Sequence, residues 1–458
     1  MAGALALRLL AFTGATTGDA PIYSELAAHP IPSVSFDLAY CCSAGARLGV
    51  LLPTRLAYHL LGPGEHAAAL YPLLCSLGTV GLAWWLGRAI LGAQGGLLAG
   101  GLVAACPWQL PYASVLGPDI PMGFWLAASA ALLWWRRLPP LAGICLAFAV
   151  ITWEGALVLL PLGLMAAWGG AERGARGRVL LAFLAGFLGE LWLPAPHGEI
   201  YGVLRQYLLG NYLVRNPVRP DLYHTYLWEL GVSVPWHRWL EGLGMLAPGD
   251  HQFRAFGGIA TVGILAGLVA FRRAGPLRWM AAWGLGYSLF LLLAASPRTP
   301  TQPVLVAHAR YLQPCLVPFA ILAAWALVRL KPLLLRLVII GWGLYLLYAG
   351  WVCTIQARAS TVPYREVAGW LAAQPSERQV YGDRDSVGTL RFLMGYPASP
   401  RLDYLVGYDE PAPLGVYPRR RVLAPGALVV MPPGGCDALS QGLLPGTPGW
   451  PLSPEALG

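Results

Sequence analysis

Two aspartates stand where this apolar chain breaks into polar sequence. Asp19 follows the first apolar stretch, in Gly18-Asp19-Ala-Pro-Ile-Tyr23-Ser-Glu25, and Asp119 follows another, in Tyr112-Ala-Ser-Val-Leu-Gly-Pro-Asp119-Ile-Pro121. A carboxylate at such a place can take a proton from an attacking hydroxyl. Both also read as helix caps, before Ala20-Pro21 and before Ile120, and one residue can serve both ends. Glu154, in Ile151-Thr-Trp-Glu154-Gly, has almost no loop around it. It reads as the outer turn of a hairpin, or as a ligand for a sugar hydroxyl or a cation. Arg310 and Tyr311, in His308-Ala-Arg310-Tyr311-Leu-Gln-Pro314, put a guanidinium at the mouth of an apolar span. Arginine grips phosphate through paired hydrogen bonds, and an Arg-Tyr pair also anchors at a bilayer surface. Arg47, Arg205, Arg215 and Arg219 are weaker phosphate candidates.

The elements that must hold these residues are read from hydropathy. The chain has 458 residues, 57% hydrophobic and 12% charged, against about 25% charged in a soluble domain. A helical crossing needs about 20 apolar residues, and apolar stretches recur to about Val352. The expected fold is therefore an all-α polytopic membrane protein. About eleven spans are predicted, at residues 2–17, 67–87, 95–111, 120–135, 139–153, 155–169, 178–194, 255–271, 277–295, 311–329 and 333–353. Met1–Thr17 is read as the first membrane helix rather than a signal peptide, having a poor positive end and no cleavage site before a soluble domain.

The charge pattern orders the spans. Arg88, Arg136-Arg137, Arg173, Arg176, Arg178, Arg272, Arg273, Arg278 and Lys331 fall in alternate loops. If the spans alternate, all lie on one side, which the positive-inside rule makes cytoplasmic. The N-terminus is then inside. Asp19, Asp119, Glu154, the 195–254 loop, the 296–310 loop and the tail are outside. The net charge of +9 is thus loop arginine, and a basic excess without a clustered face is no nucleic-acid footprint. The eight cysteines lie mostly in apolar spans, without metal-ligand spacing. His224, His237, His251 and His308 match no metal motif, and no hydrolase signature is present.

The outer segments have their own character. Residues 18–65 hold two amphipathic stretches, Ala20–Ala28 and Ala44–Leu61, suited to lying at the interface. The aromatics of 195–254 can anchor at headgroups or stack on a sugar. From residue 354 the pattern becomes mixed, with helices expected at Pro363–Ala373 and Ser386–Met394. Strands are expected at 379–383 and 427–431. This predicts a small C-terminal α/β extracytoplasmic appendage over 354–458, after a membrane domain over 1–353. Residues after about Gly434 are Pro/Gly-rich, a composition that disfavours order.

Taken in order, these motifs resemble the membrane-embedded glycosyltransferases that use polyprenyl-phosphate sugars, a group holding the protein O-mannosyltransferases and the lipid A aminoarabinose transferases. The resemblance rests on Asp19 with Tyr23 four residues on and on Arg47-Leu-Gly-Val-Leu-Leu-Pro53. A hairpin follows through Gly87-Arg88 and Gly95-Gly-Leu-Leu-Ala-Gly. Pro118-Asp119-Ile-Pro leads into Gly123-Phe-Trp-Leu-Ala, and a late Arg310-Tyr311-Leu-Gln-Pro314 and the tail complete it. It implies a polyprenyl-phosphate sugar donor, a lipid, glycan or protein acceptor, and membrane lipid as surroundings. Asp19 would be the general base and Asp119 would position the acceptor or a bound cation. Arg310, then Arg47, would neutralise the leaving phosphate, with Tyr311, Tyr23 and Glu154 as further substrate contacts. A divalent cation is admitted as cofactor, but Ala20 stands where the group usually has a second acid, which disfavours metal at the first loop. The other readings are a lipid-linked saccharide flippase and a non-catalytic membrane scaffold. The edge position of the charges and the lack of a repeat count against the flippase.

Overall fold

The computed structural model describes residues 1–16, 19–28, 47–134, 138–153, 156, 159, 175–192, 251–272, 275–293, 313–359, 361–373, 380–382 and 384–395, with strands at 402–404, 406–408, 418–420 and 428–430. The described chain is mostly helical. Through the first half run α1 (Ala2–Leu10), α2 (Asp19–Ala28), α3 (Leu48–Leu61), α4 (Glu65–Ala104), α5 (Gln109–Tyr112), α6 (Asp119–Trp134) and α7 (Pro139–Thr152). Then come α8 (Ala175–Trp192), α9 (His251–Ala270), α10 (Pro276–Leu293), α11 (Leu316–Leu327), α12 (Pro332–Ala359) and α13 (Val362–Ala373). Apart from Ala156 and Leu159, the expected span at 155–169 lies outside the described residues, as do the 195–250 part of the loop expected outside and the tail end after Val430.

The long α4 is a hairpin of two arms. Gly92 has φ 83° and ψ −177°, a backbone that L side chains rarely adopt and glycine adopts freely. The arms then return so closely that only glycine fits between them. A Cβ on Gly96 would sit 2.7 Å from the Trp84 carbonyl oxygen, and one on Gly100 would sit 2.9 Å from the Trp84 Cβ. Small residues allow apolar helices this approach. Phe319 of α11 is nested in the same way, fully buried against Gly263 of α9 and Gly284 of α10. Around these contacts α4, α6, α7, α9, α10 and α11 share one apolar core.

Several expected boundaries move. The first span was expected over 2–17, but α1 ends at Leu10 after nine residues, about 14 Å of helix against a hydrocarbon core of about 30 Å. Irregular chain follows to residue 16, with Gly14 at φ 71°. The second arm of α4 stops at Ala104 rather than 111, just before Pro107, which cannot continue a helix. The last span runs on to Ala359 instead of 353. Two described helices, Glu65–Ala104 and the one from Pro332, are long and apolar enough to cross a bilayer; Leu48–Leu61, Asp119–Leu133, Pro139–Thr152, Gly177–Gly186, Gly258–Ala270 and Gln313–Leu327 are shorter apolar helices. On α12 the leucines and isoleucines Leu333, Leu337, Ile340 and Leu344 are exposed, as a lipid-facing helix requires.

Beyond α12, α13 packs on α14 (Arg384–Leu393) over a small core of Ala368, Leu371, Val380, Val387 and Leu390. The strand β1 (Val380–Gly382) lies between β2 (Leu402–Tyr404) and β5 (Leu428–Val430), parallel to both. A separate antiparallel pair joins β3 (Val406–Tyr408) to β4 (Pro418–Arg420). The β1 and β5 strands fall on the two stretches with strand pattern; β2, β3 and β4 had not been expected.

Candidate active site at the start of the second helix

Asp19 is the first residue of α2. The helix forms because Pro21 stands in its first turn, where a missing N–H does no harm. Its apolar and small positions at 20, 23, 24 and 27 recur at helical spacing and are all buried. They pack on α3, in a cluster that holds Ala15, Ala20, Tyr23, Leu26, Val50, Leu51, Tyr58, Val115 and Leu116.

Asp119 is likewise the first helical residue of α6, half-buried. The sequence reading made it a cap, but the Met122 N–H donates to the Pro118 carbonyl at 2.9 Å, which moves the cap back to Pro118. A carboxylate in the first turn still favours the helix dipole. Gly117-Pro118 sets the break that starts α6.

The segments leading to the two aspartates are tied together. The Ser114 hydroxyl accepts the Thr13 N–H at 2.8 Å and the Gly14 N–H at 3.2 Å. Ser114 and Thr13 are buried, and Val115 and Leu116 beside them join the α2 cluster. Two stretches a hundred residues apart thus meet just before Asp19 and just before Asp119.

Two further predicted residues come together. The Arg47 guanidinium donates to the Tyr23 hydroxyl and lies 6.0 Å from the centre of that ring, a cation–π distance. Tyr23 is 1% exposed, so its hydroxyl fixes Arg47 at the edge of α3. Next to it the Ser24 and Tyr58 hydroxyls share a hydrogen bond. Burial pushes the Tyr58 phenol up to about 12, and the bond to Ser24 acts the other way. Arg55 donates through Nε to the Ala27 carbonyl at 3.3 Å, and desolvation lowers its pKa.

Glu154, Arg310 and Tyr311 lie outside the described residues. The chain just beyond Arg310 is anchored, however. Gln313 is buried and its Oε1 accepts from Gln109 Nε2 at 3.1 Å. The Ser76 hydroxyl donates to Gln109 Oε1 at 2.6 Å, and Arg8 Nε donates to Ser76 at 2.7 Å. This buried polar line joins α1, α4, α5 and the start of α11. Its signal in the sequence was four polar residues inside apolar stretches, which the hydropathy count had passed over.

Also passed over were the groups that meet the first loop from elsewhere in the chain. Glu65 accepts the Ala15 N–H at 2.7 Å. Glu25, 6% exposed, pairs with Arg391 of α14 at 2.6 Å. No sequence spacing reveals such pairs, because the partners lie up to 366 residues apart. Among the described residues no three His, Cys, Asp or Glu side chains group to hold a metal ion.

No family model matches the sequence, and no curated protein matches it. Solved structures do. ArnT from Cupriavidus metallidurans in the apo state matches with a TM-score of 0.58 at 15% identity, over 86% of this chain and 83% of that one. The same protein bound to undecaprenyl phosphate gives 0.59 at 13% identity, over 88% and 84%. The apo oligosaccharyltransferase of Archaeoglobus fulgidus gives 0.51 at 13% identity, over 88% of this chain and 63% of that one. At such identities the likeness concerns architecture, and architecture alone does not fix chemistry. The chain shares the fold of ArnT and of this oligosaccharyltransferase.

Proposed function

We propose that this protein moves a sugar from a polyprenyl-phosphate donor to an acceptor hydroxyl at the outer face of the cytoplasmic membrane. The observation that carries the reading is the Ser114 tie. It brings the Asp19 and Asp119 segments together beside the Arg47–Tyr23 pair, on a fold shared with ArnT. One ArnT structure holds undecaprenyl phosphate.

In the proposed reaction Asp19 takes the proton of the acceptor hydroxyl. The acceptor oxygen attacks the anomeric carbon from the face opposite the phosphate. The bond from that carbon to the phosphate oxygen breaks, configuration inverts, and polyprenyl phosphate leaves. Arg310 and Arg47 neutralise the charge that grows on the phosphate. Asp119 positions the acceptor or a cation, and Tyr23, Tyr311 and Glu154 complete the substrate contacts. The buried line from Arg8 to Gln313 would hold the segment that carries Arg310.

The membrane arrangement belongs to the same proposal. About eleven helices cross the bilayer in a domain over 1–353, with the N-terminus cytoplasmic. The appendage over 354–458 is extracytoplasmic, on the side of Asp19.

The test is transfer by purified protein in lipid, given a panel of polyprenyl-phosphate sugars and membrane extract as acceptor. Release of free polyprenyl phosphate with one donor, dependent on the acceptor, is expected. A folded protein that releases none with any donor would rule the reading out.

A further inference from the structure

Arg358, Arg365 and Arg391, from the C-terminal part of the chain, reach back to the stretch around Asp19. Arg358, near the end of α12, donates to the Leu10 and Phe12 carbonyls, both at 2.8 Å. It thereby caps the end of α1, where a cation is favoured. Arg365 of α13 forks onto Glu65, with one bond at 3.0 Å. Glu65 in turn accepts the Ala15 N–H, so one carboxylate joins α13 to the irregular chain before Asp19. Arg391 of α14 pairs with Glu25, six residues beyond Asp19 on α2. The Glu25 side chain is 8% exposed and that of Arg391 is 24% exposed.

Packing follows the same line. Phe392 is 1% exposed and belongs to the α2–α3 cluster with Tyr23 and Tyr58. Gly388, one turn before it, lies against Pro21; a Cβ there would stand 3.4 Å from the Pro21 Cβ. One face of α14 thus serves the small core with α13, and the other closes over the N-terminal half of the Asp19 helix.

We infer that α13, α14 and the end of α12 form a positioning clamp for Asp19, with Arg391 and Glu25 as positioning residues for the transfer reaction. The inference rests on the transferase reading above. The physical reason lies in α2 itself. A ten-residue helix is too short to be stable alone, and its carboxylate must meet the acceptor within a fraction of an ångström. The clamp supplies the restraint without touching substrate, so its loss lowers kcat more than donor KM.

The experiment compares wild type, Arg391→Ala, Arg391→Lys and the exchange Glu25→Arg/Arg391→Glu in lipid nanodiscs. Amide hydrogen exchange over 19–28 and transfer kinetics per folded molecule are read together. Arg391→Ala is expected to speed exchange over 19–28 by about tenfold or more and to lower kcat by about 10- to 100-fold, with donor KM within about twofold. Arg391→Lys and the exchanged pair recover part of both. Unchanged exchange over 19–28 in Arg391→Ala would show that there is no clamp. Faster exchange with unchanged kcat would show that the clamp positions nothing. Wild type that transfers no sugar from any donor defeats the transferase reading instead, and with it the catalytic half of the inference, while the exchange data still decide the clamp. If Arg391→Ala does not fold, Glu25→Gln, which removes the same ion pair from the α2 side, carries the test, and wild-type exchange over 19–28 together with wild-type kcat in it would overturn the inference.

Discussion

Removing one hydroxyl, in Ser114→Ala, should separate the two aspartate segments. The oxygen accepts two backbone N–H groups, from Thr13 and Gly14, in a site where Ser114 is 2% exposed. Alanine leaves both buried donors without an acceptor. A buried group left unpaired costs about 1–3 kcal/mol. The 2.8 Å bond belongs to the upper part of that range and the 3.2 Å bond to the lower, so the variant should lose about 2–4 kcal/mol. The irregular chain before Asp19 then shifts relative to the start of α6. A misplacement near 1 Å is worth about 100-fold in rate, so kcat per folded molecule should fall about 10- to 100-fold with donor KM nearly constant. Thermal unfolding in nanodiscs reads the stability, and transfer kinetics on the folded fraction read the geometry. Wild-type stability together with wild-type kcat in Ser114→Ala would refute the reasoning. Lower stability with unchanged kcat would leave the tie as a structural contact only.

Two further outcomes follow from the same loop. Gly14→Ala forces a side chain into φ 71° and puts a Cβ 2.0 Å from Glu65 Oε1, so the carboxylate must leave Ala15 and Arg365. The loss should be about 2–4 kcal/mol, and in a Glu65→Ala background it should shrink toward the backbone part of about 1–2 kcal/mol; thermal unfolding of the four proteins of this cycle checks it. Tyr58→Phe bears on pH. The folded phenol is held up at about 12 against about 10 when unfolded. Its contribution is therefore whole below pH about 10 and is lost as pH rises toward 12. Wild type should lose stability over that window more steeply than Tyr58→Phe, as read by thermal unfolding at stepped pH.

The architecture was legible in the sequence where local rules act alone. The hairpin expected through Gly87-Arg88 and Gly95-Gly-Leu-Leu-Ala-Gly is present in the backbone, with its turn at Gly92. Hydropathy also placed α6 to α12 to within six residues of their ends. It failed at α1, because an apolar run does not reveal that the helix stops at Leu10 and that irregular chain follows. The β2, β3 and β4 strands were missed because three-residue strands carry too little pattern to register. At the site, Arg47 and Tyr23 were picked for their types and order, and the fold joins them. Ser114, Glu65, Glu25 and Arg391 were not, because their meaning is a tertiary pairing between distant segments. A serine in an apolar loop and a glutamate on a short helix look ordinary until the partner is known.

The proposed role of Asp19 as the base of a sugar transfer is tested most directly by the transfer rate of Asp19→Asn beside wild type in the same lipid. Asparagine keeps the shape and cannot take the proton. The account predicts that the variant folds and melts like wild type, while release of polyprenyl phosphate falls by about 10²- to 10⁴-fold. Transfer at the wild-type rate by Asp19→Asn would contradict it.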